Sequence, residues 1–195
     1  MNYFFIDVKY KKIRHFLTFL CRVGDLELLQ NINPEINPSF LNIACGSGHI
    51  YIIEWIHRHN LERTSDVYHY AARSNNINTF VWLFEHNYPL DTHAFASAAM
   101  FGNIFIMKWL KKKNCPWDSR VFSYAINHKR LDVMEWLKKN NCPMDDNAFT
   151  NAAKSGQMNI LVWLKENHCP WNSNTFDSSI GFGDLNILNW LKENN

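Results

Sequence analysis

Apolar positions return along this chain at helical spacing, and the whole arrangement then repeats. In residues 142–168, Phe149, Ala152, Ala153 and Gly156 fall at i, i+3, i+4 and i+7, one face of a short helix. A second helix is predicted from about residue 159 to 167. Ile160, Leu161, Trp163 and Leu164 give it a wide apolar stripe, with Lys165 and Glu166 pointing outward. The pattern therefore predicts helix, tight turn, helix and short connector, and nothing reads as a strand.

The same positions recur through most of the chain. Trp55, Trp82, Trp109, Trp136, Trp163 and Trp190 fall every 27 residues without insertion or deletion. Locked to that period are Ala44, Ala71, Ala98, Ala125, Ala152 and Ser179, and also Leu41, Tyr68, Phe95, Phe122, Phe149 and Phe176. Cys115, Cys142 and Cys169 follow it as well, each opening a Cys-Pro. Six units are predicted: 34–60, 61–87, 88–114, 115–141, 142–168 and 169–195. Gly24-Asp25-Leu26 echoes Gly183-Asp184-Leu185, so residues 1–33 are read as an N-terminal segment holding a degenerate first repeat or cap.

Polar columns mark the helix ends. Asn37, Thr64, Asp91, Asp118, Asp145 and Asn172 share the position before the first helix, where a side-chain oxygen caps backbone N–H groups. Asn60, Asn87, Asn114, Asn141, His168 and Asn195 share the position after the second helix. Asparagine serves there where the chain turns through a left-handed conformation. One helical hairpin cannot bury its apolar face alone, so neighbours must stack into a continuous core. The expected fold class is all-α, a solenoid of stacked helix-turn-helix repeats with short connectors.

Composition narrows the function classes. Apolar residues make up 47% and aromatics 15%, which excludes a disordered chain. The net charge of +2 comes from interleaved lysines and acids, without the footprint of a nucleic-acid binder. No apolar run is long enough to span a membrane, and the first residues lack the parts of a secretory signal. Five cysteines, an odd number in a chain of this size, read as reduced thiols in a cytoplasmic, non-secreted setting.

The stretch Phe149 to Gly156, Phe-x-x-Ala-Ala-x-x-Gly, followed by an aliphatic helix ending in Trp-Leu, resembles the ankyrin repeat. The family's Thr-Pro-Leu-His-x-Ala-Ala stands here as Asn147-Ala148-Phe149-Thr150-Asn151-Ala152-Ala153, without the Thr-Pro and the His. The family period is about 33 residues, and the deficit here falls where the family carries a β-hairpin. The Trp-Leu-Lys-x-Asn-x-Cys-Pro-Trp variant is similar to the short repeats of large DNA viruses of amoebae. The resemblance covers about residues 34–195. It implies an ankyrin-like solenoid lacking the β-hairpins, and a protein-interaction scaffold, in the viral type one that binds a host factor.

In such a stack the side of the first helix opposite the core lines the concave surface. Its columns vary while the core columns do not. One runs Ser39, Asp66, His93, Arg120, Asn147, Asn174; the next Ile43, Tyr70, Ser97, Tyr124, Asn151, Ser178; the third Ser47, Ser74, Phe101, His128, Ser155, Phe182. Tyr70, His93, Phe101, Arg120, Tyr124 and His128 are the candidate partner-binding residues, an aromatic and basic strip of the types found at interface hot spots. Packing under a neighbouring connector is the alternative role for Phe101 and Phe182.

Catalytic and cofactor chemistry finds no support. Adjacent repeats stack at about 8–10 Å, too far for the Cys column to share zinc at about 2.3 Å or to form disulfides at about 4.4–6.8 Å between Cα atoms. Tyr88 and Leu61 share the Cys column, so these positions read as small core residues. His57-Arg58-His59 ends a second helix, where cations suit the dipole. Gly46-Ser47-Gly48 lacks the lysine of a phosphate loop. Lys111-Lys112-Lys113 and Lys138-Lys139 read as a solvated basic edge.

The expectation is a non-enzymatic adaptor that binds a partner protein, with no cofactor, metal, nucleic acid or membrane. The alternative is a structural spacer or particle component. Residues 1–33, apolar at Phe16, Leu17, Phe19 and Leu20, show no recognisable ubiquitin-ligase recruitment module. Ile180 and Phe182 leave the last unit without a polar outer face, which suggests self-association through it; a monomeric mass at high concentration would exclude that.

Overall fold

A computed structural model describes residues 15–171 and 173–194. The expectations placed on Asn172 and Asn195 lie outside the described residues, as do those on the side chains of Asn174, Ser178 and Phe182. Among the described residues all regular structure is helical. The helices come in pairs: α1 (15–23) with α2 (Leu26–Ile32), α3 (Pro38–Ser47) with α4 (Ile50–His57), and α5 (Val67–Ser74) with α6 (Ile77–Glu85). There follow α7 (Thr92–Phe101) with α8 (Ile104–Lys112), α9 (Arg120–Asn127) with α10 (Leu131–Lys139), α11 (Asn147–Lys154) with α12 (Met158–Glu166), and α13 (Ser173–Phe182) with α14 (Leu185–Asn194). The chain divides into two compact units, Met1–Ala94 and Phe95–Asn195.

Local chemistry sets the helix ends. Asn37, Asp91, Asp118 and Asp145 each accept a backbone N–H two residues on, at 2.9–3.1 Å, as cap residues should. Thr64 has no such role, because α5 starts at Val67 after an uncapped Asp66. Asn60, Asn87, Asn114, Asn141 and His168 all turn through positive φ of 52–60°. Within each pair a second left-handed residue makes the turn: Gly48, Asn75, Gly102, Lys129, Gly156 and Gly183. Lys129 sits there at φ 55°, a conformation that costs a residue with a Cβ about 1 kcal/mol or more.

The first pair departs from the rest in a specific way. Asn33 is left-handed, one period before Asn60, while Gly24 comes only nine residues before it. Twelve residues separate Gly48 and Asn60, and α2, with 7 residues against 8 in α4 and 9 in α6, is the shortest of the second helices. Gly24 is favoured by its φ of 85°, and a Cβ there would also displace the Tyr51 hydroxyl. Leu17 and Leu20 are buried, whereas Phe16 and Phe19 stand exposed.

In the first unit α3 packs on α5 and α4; in the second, α11 packs on α9 and α13. The Ala column through Ala152, with Tyr68, Phe95, Phe122 and Phe149, is sealed from solvent. The Trp column, part of the predicted apolar stripe, is not sealed throughout: Trp82 is buried, but Trp55, Trp109, Trp136, Trp163 and Trp190 are half-buried. The innermost second-helix column is Ile52, Thr79, Ile106, Val133, Ile160 and Ile187, all buried. Thr79 is its one polar member, and its hydroxyl has no hydrogen-bond partner. Thr79→Val keeps the shape and removes that orphan, so it should stabilise the protein by about 1 kcal/mol, or about 2–4 °C in the thermal midpoint. A lower midpoint would show that the hydroxyl is satisfied in solution.

Candidate functional site

The strip residues fall in both units: Tyr70 and His93 in the first, Phe101, Arg120, Tyr124 and His128 in the second. Five of them are exposed, and Phe101 is half-buried. In the second unit Arg120, Tyr124 and His128 follow one another at i+4 spacing along one face of α9 and its end. The basic part of the strip is weaker than expected, because the Arg120 guanidinium folds back on the cap carboxylate of Asp118 at 2.6 Å. Within the first unit the Tyr70 ring meets that of His69 edge-on, centroids 5.5 Å apart.

Not every position in the variable columns faces outward. Ser97 is buried, while Asn147 is exposed beside the buried Ala148. Ser47, Ser74 and Ser155 bend their hydroxyls onto carbonyls three or four residues back, at 2.7–2.9 Å. That column is self-satisfied wherever it holds serine.

A groove of about 440 Å³ opens on the first-helix face of the first unit. Arg22 of α1, Asn42, Ile43, Gly46 and Ser47 of α3, and Tyr70 and Arg73 of α5 line it. Tyr70 was expected here. Arg22 and Arg73 were not: Arg22 lies in the off-register first repeat, and Arg73 is one turn beyond Tyr70, the single signal that pointed to it. Gly46 leaves room in the groove floor, where a Cβ would meet only ordinary contacts, 3.6 Å from the Tyr70 carbonyl and 3.8 Å from its Cβ.

The cysteines have structural surroundings. All five are free and buried. The Cys142 thiol donates to the Asp118 carbonyl and that of Cys169 to Asp145, each reaching the cap residue of the preceding pair. Burial, reinforced by Asp118 beside Cys142 and by Asp145 beside Cys169, pushes both thiols up to about 12. They remain protonated and unreactive near neutral pH.

His57 and His59 are engaged separately. His59 Nδ1 bonds the Trp55 carbonyl at 3.1 Å, while the His57 ring packs on Trp82 and its Nδ1 lies 3.2 Å from the Tyr88 hydroxyl. Burial, then Arg63 and His86, hold the His57 imidazole below its usual range. Among the described residues no three metal-ligating side chains gather, and no helix is long and apolar enough to cross a membrane.

Two inter-repeat ladders were invisible in the sequence. At the start of the second helices, His49 reaches the Arg22 carbonyl at 2.9 Å, Asn76 the Gly48 carbonyl at 3.4 Å, and Gln157 the Ile126 carbonyl at 2.9 Å. At their far ends, Lys111, Lys138 and Lys165 donate to Asn140, Asn167 and Asn194 of the next pair. Each of those asparagines bonds the carbonyl of its own Trp, as His86 does in the first unit. This geometry accounts for the repeated Trp-Leu-Lys-x-Asn.

Such paired helices with left-handed glycine or asparagine turns define a helical-repeat protein. No family model matches the chain, and neither does any curated protein. Among solved structures, the crystal structure of the human ASB11 ankyrin repeat domain superposes with a TM-score of 0.66 at 17% identity. The match covers 92% of this chain and 97% of that one. The fold is therefore that of an ankyrin repeat domain. Its connectors are reduced: the residues between α10 and α11 contain no strand.

Proposed function

We propose that this chain is an adaptor that binds a partner protein through the face formed by its first helices. The groove between α1, α3 and α5 carries the reading. It combines an aliphatic floor at Ile43, an aromatic wall at Tyr70 and two arginines, Arg22 and Arg73, the mixture enriched where binding energy concentrates. In the second unit the first helix α9 presents exposed groups of the same kind, Tyr124 and His128. A scaffold of packed helices presents these groups with little ordering cost on binding.

The test uses affinity capture from cell extract, with mass spectrometry of the proteins retained. Gly46→Met puts a side chain into the groove floor from a position where a Cβ meets only ordinary contacts, and replacing a glycine within the helix favours it by up to about 1 kcal/mol. Proteins retained by the wild type should be lost with Gly46→Met and with Tyr70, Phe101 and Tyr124 changed together to Ala. They should persist with Phe105→Ala, which truncates an exposed second-helix ring. Identical recovery by all variants, each folded by circular dichroism, would refute the assignment.

A further inference from the structure

The second unit holds a groove of about 510 Å³ on its second helices, away from the first-helix face. Lys108, Lys111 and Lys112 of α8 line it with Lys139 and Trp136 of α10 and the following Asn140. Four ammonium groups border it, and no carboxylate does.

Only one of these lysines is explained by the fold. Lys111 belongs to the far-end ladder, 2.8 Å from Asn140 Oδ1 and above the Trp117 ring. Lys108, Lys112 and Lys139 form no hydrogen bond or ion pair with the described residues. The repeat does not hold their charge fixed: one period on, Glu135 stands where Lys108 does and Glu166 where Lys139 does, although Lys112 is followed by Lys139 itself. Trp136 stays half-buried although Trp117 and Phe95 both pack on it, with centroids 6.1 and 6.3 Å away.

We propose that this groove binds an acidic peptide segment of a partner protein, with carboxylates on Lys108, Lys112 and Lys139 and an apolar side chain against Trp136. The charge is complementary and the scale agrees. One repeat step is about 8–10 Å, while alternate residues of an extended peptide lie about 7 Å apart, so two or three carboxylates span it. A nucleic acid needs a longer basic track and several stacking platforms. Here the column charges reverse within one period at Glu135 and Glu166, and a single indole serves the groove.

The experiment measures fluorescence anisotropy of a labelled short peptide alternating glutamate with leucine, added to the whole protein, with Trp136 indole N–H shifts as a site reporter. Binding should be seen at low salt, weaken about tenfold as salt rises to physiological strength, and move the Trp136 resonance. Lys112→Gln with Lys139→Gln should weaken it by about fivefold or more. Lys165→Gln, which lies in the structural ladder, and Gly46→Met, in the first-helix groove, should leave it unchanged. The proposal fails if the peptide does not bind, if the double variant binds as well as wild type, or if Gly46→Met abolishes binding. It also fails if an oligothymidylate of equal length binds more tightly through the same lysines. Because Gly46→Met tests the other face, the two readings fall separately.

Discussion

Truncating Phe122 to alanine should cost the second unit about 3–5 kcal/mol, the usual loss for a fully buried aromatic. Its side chain has no exposure, and its ring approaches Trp163 of the following pair at 6.4 Å. The hole cannot close by local sliding, because α9 is held against α10 and α11. The same column supplies an internal control. Phe176 is 38% exposed, so Phe176→Ala removes a ring that is still partly hydrated and should cost about 1 kcal/mol or less. Urea melts followed by tryptophan fluorescence would measure both. In a stacked array the loss also lowers neighbour coupling, so the Phe122→Ala transition should broaden. Equal midpoints for the two variants would mean that burial in this column does not govern stability.

What the sequence revealed and what it hid divide along physical lines. Features set by local backbone chemistry were legible: the carboxylate and amide caps at Asn37, Asp91, Asp118 and Asp145, and the left-handed residues from Asn60 to His168. Each acts within a turn of its own position, so one column of residue types identifies it. The groups that join one pair to the next lie 24 to 31 residues apart, as with Cys142 to Asp118 and Gln157 to Ile126, and only folded geometry makes them neighbours. The candidate surface sits between these cases. Tyr70 could be read from periodicity. Arg22 could not, because the shortened α2 shifts the first pair out of register. The charge of Arg120 was visible, but its closure on Asp118 was not.

The largest effect among the polar groups is expected at Asp145, where one residue serves three successive helix pairs. Its carboxylate accepts the Asn147 N–H at 3.1 Å, capping α11, and also the Ser119 hydroxyl from the preceding pair. Its own carbonyl accepts the Cys169 thiol of the next pair. Asp145→Ala should therefore cost about 2 kcal/mol, at the upper end of the range for a lost cap, because the Ser119 hydroxyl also loses its acceptor. Asp145→Asn keeps Oδ1 for the Asn147 N–H but puts an amide nitrogen where Oδ2 accepts from Ser119, so it should retain the cap, lose the bond between pairs and cost about half as much. A double-mutant cycle with Ser119→Ala separates the two roles: a coupling of about 1 kcal/mol assigns that share to the bond between pairs. No coupling would reduce Asp145 to an ordinary cap. Ser65 and Asp91 in the first unit form the same bond at 2.6 Å, and their cycle should give the same coupling. Agreement between the two units would show that the cap column also latches neighbouring pairs. That second role explains why aspartate, with two acceptor oxygens, fills it where asparagine alone would suffice to cap.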